Sequence, residues 1–196
     1  MEIVIATRNK KKIEEIKRIL SGMPVNILTI DDFPGCPEVE EEGYTFEENA
    51  VKKALSVARY TGKPSLADDS GLEVYALNGA PGVISSRYAG ADSDDKKNIE
   101  KLLKEMKYLE DEKRAARFVC CIAFALPDGN VKTFFGYVEG MIGREPKGSS
   151  GFGYDPVFYP KGQSKTFAEL CSDDKDAISH RGRAIKEFVN YLRKII

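Results

Sequence analysis

The chain has 196 residues, 42% of them hydrophobic and 31% charged, as is typical of a single globular domain. Its 30 basic and 31 acidic side chains give a net charge of −1, which excludes the global basic field of a nucleic-acid-binding protein. No apolar run approaches the ~20 residues that a membrane span needs, and the N-terminus lacks a signal-peptide pattern. We therefore expect a cytoplasmic protein that binds neither nucleic acid nor membrane.

The first predicted elements are a strand, a loop and a helix. Residues 2–6 are apolar, and Ile13 and Ile16 recur at helical spacing. The connecting loop, 7–12, contains Thr7, Asn9, Lys10, Lys11 and Lys12. Basic residues in a first turn oppose the helix dipole unless an anion neutralises them. The loop is therefore either an anion site, with Asn9 capping the helix, or a solvated basic turn.

A second strand is predicted at 25–30, and an acidic run follows at 38–42. Such a run usually marks a solvated loop. Thr45 and Glu48 then form a capping-box pattern, which predicts the start of a second helix. Lys53 lies at the edge of the apolar stripe of that helix. It either extends its charged end to water or serves as a phosphate ligand.

Asp68 and Asp69 lie between two short apolar segments, which we interpret as a strand end, a tight corner at Ser70-Gly71 and a departing strand. Two neighbouring carboxylates repel each other, and each needs a cation or donor near a core. The pair suits a hard metal ion such as Mg²⁺. The alternative is that both are turn residues that accept hydrogen bonds from nearby amides.

A third helix is predicted to start at 92–95, followed by a long hairpin. Residues 118–126 are almost wholly apolar, as in a strand covered on both faces. Pro127-Asp128-Gly129-Asn130 is a turn, and 131–142 returns as the second strand.

The last third of the chain contains a glycine-rich loop, 146–156, and a terminal helix. Phe152 and Tyr154 in the loop either stack against a flat ligand or fold onto the core. His180 and Arg181 fall at the start of the terminal helix, where two large donors can recognise the acceptor edge of a base.

Six motifs occur in one order along nearly the whole chain. They are Thr7-x-Asn9-x-x-Lys12; Glu40-x-x-Gly43 with Thr45-Phe46-x-Glu48-Asn49-Ala50 and Lys53-Ala54; Ala67-Asp68-Asp69-Ser70-Gly71-Leu72; Asn78-Gly79-Ala80-Pro81-Gly82-Val83; Gly151-Phe152-Gly153-Tyr154-Asp155-Pro156; and Ser179-His180-Arg181. Together they resemble the inosine triphosphate pyrophosphatase family, whose members remove deaminated purine nucleotides.

The resemblance implies an α/β fold in which one domain, 1–196, forms two elongated lobes. A long mixed β-sheet flanked by helices runs through them, with the active-site cleft between the lobes and a homodimer as the usual assembly. The implied reaction is hydrolysis of ITP, dITP or XTP to the nucleoside monophosphate and pyrophosphate. This activity prevents incorporation of deaminated bases into DNA and RNA.

The resemblance also implies roles for particular residues. Glu40 and Asp69 match the Mg²⁺ ligands, Asp69 is also the general base, and Asp68 is a possible further ligand. Neighbouring strand residues point to opposite faces, so the two aspartates cannot share one role. The implied triphosphate contacts are Thr7, Arg8, Asn9, Lys10, Lys11, Lys12, Lys53 and Ser70. The implied contacts around the purine are Phe152, Gly153, Tyr154, Asp155, Lys175, Ser179, His180 and Arg181.

Lys175 and Arg181 can only donate hydrogen bonds, so they suit the 6-oxo acceptor of hypoxanthine or xanthine. Adenine presents a donor there, and a buried mismatch costs ~1–3 kcal/mol per group. Two alternatives remain: a Maf-type pyrophosphatase of other modified nucleotides, and a non-catalytic nucleotide sensor. The Ser179-His180-Arg181 motif disfavours the first, and an intact Asp69 disfavours the second.

Overall fold

The computed structural model describes the whole chain, Met1–Ile196, as an α/β fold with one six-stranded mixed sheet. The strands are β1 (Glu2–Ile5), β2 (Asn26–Thr29), β3 (Ser65–Val74), β4 (Ala115–Ala125), β5 (Val131–Ile142) and β6 (Phe158–Pro160). Their order in the sheet is β2-β1-β3-β4-β5-β6. β1 is parallel to β2 and β3, and β5 is antiparallel to β6. The predicted fold class, a mixed sheet flanked by helices, is confirmed.

Five helices accompany the sheet, and local capping patterns explain where two of them begin. The helices are α1 (Lys10–Ile19), α2 (Phe46–Thr61), α3 (Asp95–Glu105), α4 (Ser172–Ile178) and α5 (His180–Leu192). The Asn9 side chain accepts a hydrogen bond from the Lys12 amide at the start of α1. Thr45 and Glu48 form the predicted capping box of α2. None of these helices is both long and apolar enough to span a membrane.

The chain divides into two compact units, each with its own apolar core. The first unit consists of Met1–Asp69, Cys120–Gly136 and Arg181–Ile196, and the second of Ser70–Val119 and Tyr137–His180. In the first, Ile3 and Leu66 pack with Phe188 of α5. In the second, Leu72 and Phe118 belong to the buried apolar cluster. The prediction that 1–196 is one domain with two lobes stays a prediction.

The tight corner predicted at Ser70-Gly71 is wrong, because β3 continues without interruption from Ser65 to Val74. Gly71 does not have the positive φ that a tight corner often requires. Sheet neighbours on both sides, β1 and β4, give the backbone of β3 hydrogen-bonding partners, so the chain has no reason to turn. The short elements β6 and α4 were not predicted, because three and seven residues are too few to show a clear periodicity.

Candidate active site

Asp68 and Asp69 lie side by side on β3, and both are buried, with exposed fractions of 0% and 4%. Because successive side chains of a strand point to opposite faces, the two carboxylates meet different partners. These environments shift the pKa values of the two carboxylates in opposite directions.

Asp68 is enclosed by cations. Its carboxylate lies 2.5 Å from the Lys12 ammonium and accepts a hydrogen bond from Arg181 Nε at 2.9 Å. Cys120 Sγ lies 3.1 Å from the same carboxylate, and Glu15 binds the far side of the Arg181 guanidinium. Burial alone would raise the pKa of Asp68, but the charges of Arg181 and Lys12 outweigh it and hold the pKa well below its usual value. Asp68 is therefore an ionised counter-ion near neutral pH.

The charge of Asp69 is compensated by fewer contacting cations than the charge of Asp68. Lys53 Nζ lies 3.2 Å from Oδ1, and Asn49 Nδ2 donates to Oδ2 at 3.1 Å. Burial raises the pKa of Asp69 above its usual value, although the charges of Lys53 and Lys12 partly oppose the shift. Asn49 is itself fixed, because its Oδ1 accepts the Gly43 amide at 2.8 Å. The result is an oriented carboxylate with increased proton affinity.

Lys53 connects Asp69 to the acidic loop. Its ammonium lies 2.5 Å from Glu41 Oε1 and also donates to the Asp68 carbonyl at 2.7 Å. Burial would lower the pKa of Lys53, but the carboxylates of Asp69 and Glu41 raise it instead. Glu40, the predicted metal ligand, is exposed, and its carbonyl accepts a hydrogen bond from Lys52 at 2.9 Å.

Glu41 is the residue that the sequence reasoning missed. Glu40, Glu41 and Glu42 form one acidic run, and nothing in the sequence distinguishes which carboxylate turns inward. The only local signal is Lys53, a lysine at the edge of an apolar stripe, which needs a carboxylate partner when it is buried.

The loop before α1 presents amides and cations at the N-terminus of the helix. Asn9 caps this end, Thr7 Oγ1 accepts the Asn9 amide at 3.2 Å, and the first turn contains no acidic residue. Arg8 instead donates to Asp31 and to the Cys36 carbonyl. Lys10 and Lys11 are exposed, whereas Lys12 is partly buried on Asp68. Thr7, Arg8, Glu41 and Lys53 contribute to the lining of a cavity of about 120 Å³ in the first unit.

We call Lys12, Asn49, Lys53, Asp68, Asp69 and Arg181 the aspartate cluster; all of them belong to the first unit. No group of three His, Cys, Asp or Glu side chains forms a ready metal cage. Asp69 and Glu41 nevertheless both contact the Lys53 ammonium, so this place already accommodates a cation between two carboxylates. Two carboxylates supplemented by water and phosphate oxygens are a donor set typical of Mg²⁺. Asp69 and Glu41 thus offer two of the donors that a divalent ion needs, at a place that the Lys53 ammonium now fills.

In the second unit a lysine lies buried among aromatic rings. Lys175 Nζ is 2.6 Å from Asp155 Oδ2 and 5.1 Å from the centroid of the Phe152 ring. It is also 5.8 Å from the Phe167 ring, and only 4% of Lys175 is exposed. Asp155 Oδ2 also accepts the Phe152 amide at 2.9 Å. The ion pair therefore fixes both the lysine and the loop that carries Phe152.

The neighbouring predicted residues are mostly buried. His180 stacks on Phe118 with centroids 4.6 Å apart and an angle of 8° between the rings. The Tyr154 hydroxyl donates to the Ser85 carbonyl at 2.8 Å, so this aromatic side chain folds into the core. Ser179 is buried at the end of α4. We call Phe118, Phe152, Asp155, Phe167, Lys175 and His180 the aromatic cluster; all of them belong to the second unit.

Residues that the sequence predictions placed together at the purine have different partners. Arg181, predicted at the purine, has its guanidinium between Asp68 and Glu15, whereas Lys175, Ser179 and His180 belong to the second unit. Ser70 is half-buried on β3 next to Asp69. The contact between Arg181 and Asp68 joins residues 113 positions apart, which no local pattern signals.

Comparisons with known proteins identify the family of the chain and similar folds. A model of the Ham1 family matches residues 3–191. The chain is 49% identical over 195 residues to the dITP/XTP pyrophosphatase of Desulforamulus reducens, covering 100% of this chain and 97% of the relative. It is 48% identical over 191 residues to the dITP/XTP pyrophosphatase of Bacillus subtilis, covering 97% and 96%. A solved HAM1 protein structure from Coxiella burnetii has a TM-score of 0.91 at 43% identity and covers 99% of both chains.

Proposed function

The chain belongs to the Ham1 family, and from that premise we propose that it hydrolyses ITP, dITP and XTP to the nucleoside monophosphate and pyrophosphate. Hydrolysis of these deaminated nucleotides prevents their incorporation into DNA and RNA. The observation that carries the proposal is the environment of Asp69, a buried carboxylate of raised pKa held between a lysine and an asparagine. The same neighbourhood supplies cations for a triphosphate.

Asp69 acts as the general base. In the metal-free protein burial raises the pKa of Asp69, which favours acceptance of a proton from water. Lys53 and Asn49 both donate to its oxygens, so they fix the direction from which the water is deprotonated. The water oxygen attacks the α-phosphorus as its proton passes to Asp69, and pyrophosphate leaves with the electrons of the broken P–O bond. The sensor alternative gives no reason for such a base.

Lys12, Lys53 and the N-terminus of α1 bind the phosphates. Lys12 is anchored on Asp68 and remains 15% exposed at its side chain, so a phosphate oxygen can approach its ammonium. The first turn of α1 contains basic residues and no acidic residue, and a bound anion there is favoured by the helix dipole. Thr7, Arg8, Asn9, Lys10, Lys11 and Ser70 complete the proposed triphosphate contacts.

We propose Mg²⁺ as the divalent cofactor. Asp69 and Glu41 would hold it, together with Glu40 from the same acidic loop. When bound, the ion neutralises charge that develops on the phosphate oxygens. Asp68 is accessory, because its carboxylate is already engaged by Lys12 and Arg181.

The aromatic cluster recognises the purine. Phe152 supplies a ring face for stacking, next to Gly153 and Tyr154 in the same loop. Lys175, held by Asp155, donates to the 6-oxo group, which adenine lacks. Ser179 and His180 complete the proposed contacts around the edge of the purine. Arg181 acts indirectly, since it fixes the first turn of α5 through Asp68 and Glu15.

A product assay tests this function. The protein is incubated with ITP, XTP, dITP, GTP, ATP and dTTP plus Mg²⁺, and pyrophosphate and orthophosphate are quantified separately. We expect pyrophosphate as the first product and a strong preference for ITP, XTP and dITP over ATP. Orthophosphate as the first product, or equal rates with ATP and ITP, contradicts the proposal. Preferential hydrolysis of dTTP would favour the Maf-type alternative.

The resemblance also predicts a homodimer and a cytoplasmic location, which we propose for this chain. Size-exclusion chromatography with light scattering measures the first directly. A mass near 21.8 kDa in solution, the mass of one chain, contradicts the dimer.

A further inference from the structure

The loop that carries Phe152 contains two glycines in backbone conformations that other residues rarely adopt. Gly151 and Gly153, on either side of Phe152, have positive φ values of +73° and +61°. Glycine adopts many other conformations at similar energy, so a loop built on two of them needs external contacts to select one. The contacts that select this conformation therefore determine where the Phe152 ring lies.

Two carboxylates bind successive amides of this loop. Asp155 Oδ2 accepts the Phe152 amide at 2.9 Å, and Asp95 Oδ2 accepts the Gly153 amide at 2.8 Å. Asp155 belongs to the same turn and already pairs with Lys175. Asp95 lies 58 positions earlier in the chain, so its contact ties the loop to a separate element. A hydrogen bond from an amide to an ionised carboxylate is about twice as strong as one between neutral groups.

Asp95 is well placed to anchor the loop, because it is the first residue of α3 and that helix is firmly packed. The side chain of Asn98 is buried and bonds the Ala89 amide and the Ser86 carbonyl. Ile99 and Leu102 of α3 belong to the apolar cluster that also contains Tyr154 of the loop. The carboxylate of Asp95 thus projects from a fixed support.

We propose that Asp95 is a positioning residue for purine binding, acting through Phe152. Its carboxylate fixes the Gly153 amide and so keeps the Phe152 ring in place before the nucleotide arrives. A preordered loop binds more tightly because less conformational entropy is lost on binding. Asp95 itself touches no substrate. The inference rests on the proposed function, in which Phe152 stacks on the base.

A double-mutant cycle with Phe152 tests the inference. Asp95→Ala is expected to raise KM for ITP roughly tenfold, as for one lost charge-assisted hydrogen bond, while kcat stays within about twofold. Phe152→Ala raises KM by at least as much. Because Asp95 acts only through Phe152, adding Asp95→Ala to Phe152→Ala should change KM no further. A merely structural role of Asp95 would give multiplicative effects in the double variant.

Two conservative variants separate the hydrogen bond from the charge. Asp95→Asn keeps an acceptor oxygen but loses the charge, so its KM is expected to rise clearly less than that of Asp95→Ala. Asp95→Glu keeps the charge but displaces the acceptor by one methylene, so it should behave like Asp95→Ala. Asp95 is exposed, so the Asn and Glu variants should fold, and they provide the test if Asp95→Ala does not. Asp92→Ala is the matched control, because Asp92 is an exposed acid nearby that pairs with Lys97 and not with the loop.

Different outcomes test the stacking role of Phe152 and the positioning role of Asp95. An unchanged KM for Phe152→Ala overturns the stacking role of the proposed function and this inference together. A raised KM for Phe152→Ala with an unchanged KM for Asp95→Ala, or with multiplicative effects, overturns this inference alone. Impaired Asp95→Asn beside normal Asp95→Glu overturns it as well, since charge and not geometry would then matter.

Discussion

Buried charges are compensated differently in the aspartate cluster and in the aromatic cluster. In the first, two neighbouring carboxylates share three cations, Lys12, Lys53 and Arg181. In the second, one lysine and one carboxylate form a single pair against aromatic rings. In the first arrangement one cation, Lys12, keeps an exposed part that an arriving anion can approach, while Lys53 and Arg181 are buried between carboxylates. The second holds one donor in a fixed place.

This difference matches the two tasks of the proposed enzyme. A triphosphate brings several negative charges and a reaction that redistributes them, so its site needs cations already present and a base of raised pKa. A purine is neutral and flat, so its recognition depends on stacking and on the position of a few donors. Substitutions in the first cluster should therefore affect turnover and stability, and substitutions in the second should affect substrate choice.

The largest effect is expected for Asp69→Asn. The amide has the same shape but cannot accept the proton of the attacking water, so kcat should fall roughly 10³-fold, within the range of general-base losses. Nucleotide affinity measured without Mg²⁺ should change little, because Lys12 and the N-terminus of α1 stay in place; with Mg²⁺ the loss of a metal ligand is added. Initial rates of pyrophosphate release and equilibrium dialysis with ITP measure the two quantities. Residual activity above a tenth of normal would remove Asp69 as the base.

Asp68→Asn should damage stability more than chemistry. It leaves Arg181 and Lys12 with less negative charge in a buried site, and breaking such a pair costs about 3 kcal/mol or more in the free energy of unfolding. Urea unfolding at pH 7 measures this loss. Asp31→Asn is the control, because Asp31 pairs with Arg8 at the exposed surface and should show no measurable change.

The stability lost in Asp68→Asn should depend on pH in a known direction. The pKa of Asp68 is lower in the folded protein than its usual value. Its charge therefore contributes stability above the unfolded pKa of ~3.9, and this contribution is lost as the pH falls through the folded value. The stability gap between the normal protein and Asp68→Asn should be constant from about pH 5 to 8 and should narrow only at lower pH. A gap that narrows near neutral pH would contradict the assignment.

Lys175→Met should change substrate choice. Without the donor at the 6-oxo group, the ratio of kcat/KM for ITP over ATP should fall roughly tenfold or more. The ratio is the proper measure, because Asp155 loses its buried partner and any loss of folded protein lowers both rates equally. Lys147→Met, which removes an exposed lysine, is the matched control. An unchanged ratio would remove Lys175 as the reader of the base.

Sequence patterns predicted the parts of this molecule that depend on neighbouring residues. The cap at Asn9 and the capping box at Thr45 are decided within one helical turn, and both are confirmed. The corner at Ser70-Gly71 was wrong, because sheet pairing on both sides of β3 overrides a local turn preference. The contacts of site residues are harder to predict from sequence, because the partner of a side chain depends on the tertiary fold. The inward turn of Glu41 and the contact of Arg181 with Glu15 are examples.

The smallest effect is expected for Lys52→Met, and it defines the edge of the aspartate cluster. Lys52 and Lys53 are adjacent, and both bind the acidic loop, but the side chain of Lys52 is 48% exposed whereas that of Lys53 is 9% exposed. Water and salt screen an exposed pair, so the contact of Lys52 with Glu42 contributes little. We expect kcat/KM for ITP to stay within about twofold of normal. A loss of about tenfold or more would mean that the exposed contact of Lys52 is also needed to hold the acidic loop, and that the cluster extends to the protein surface.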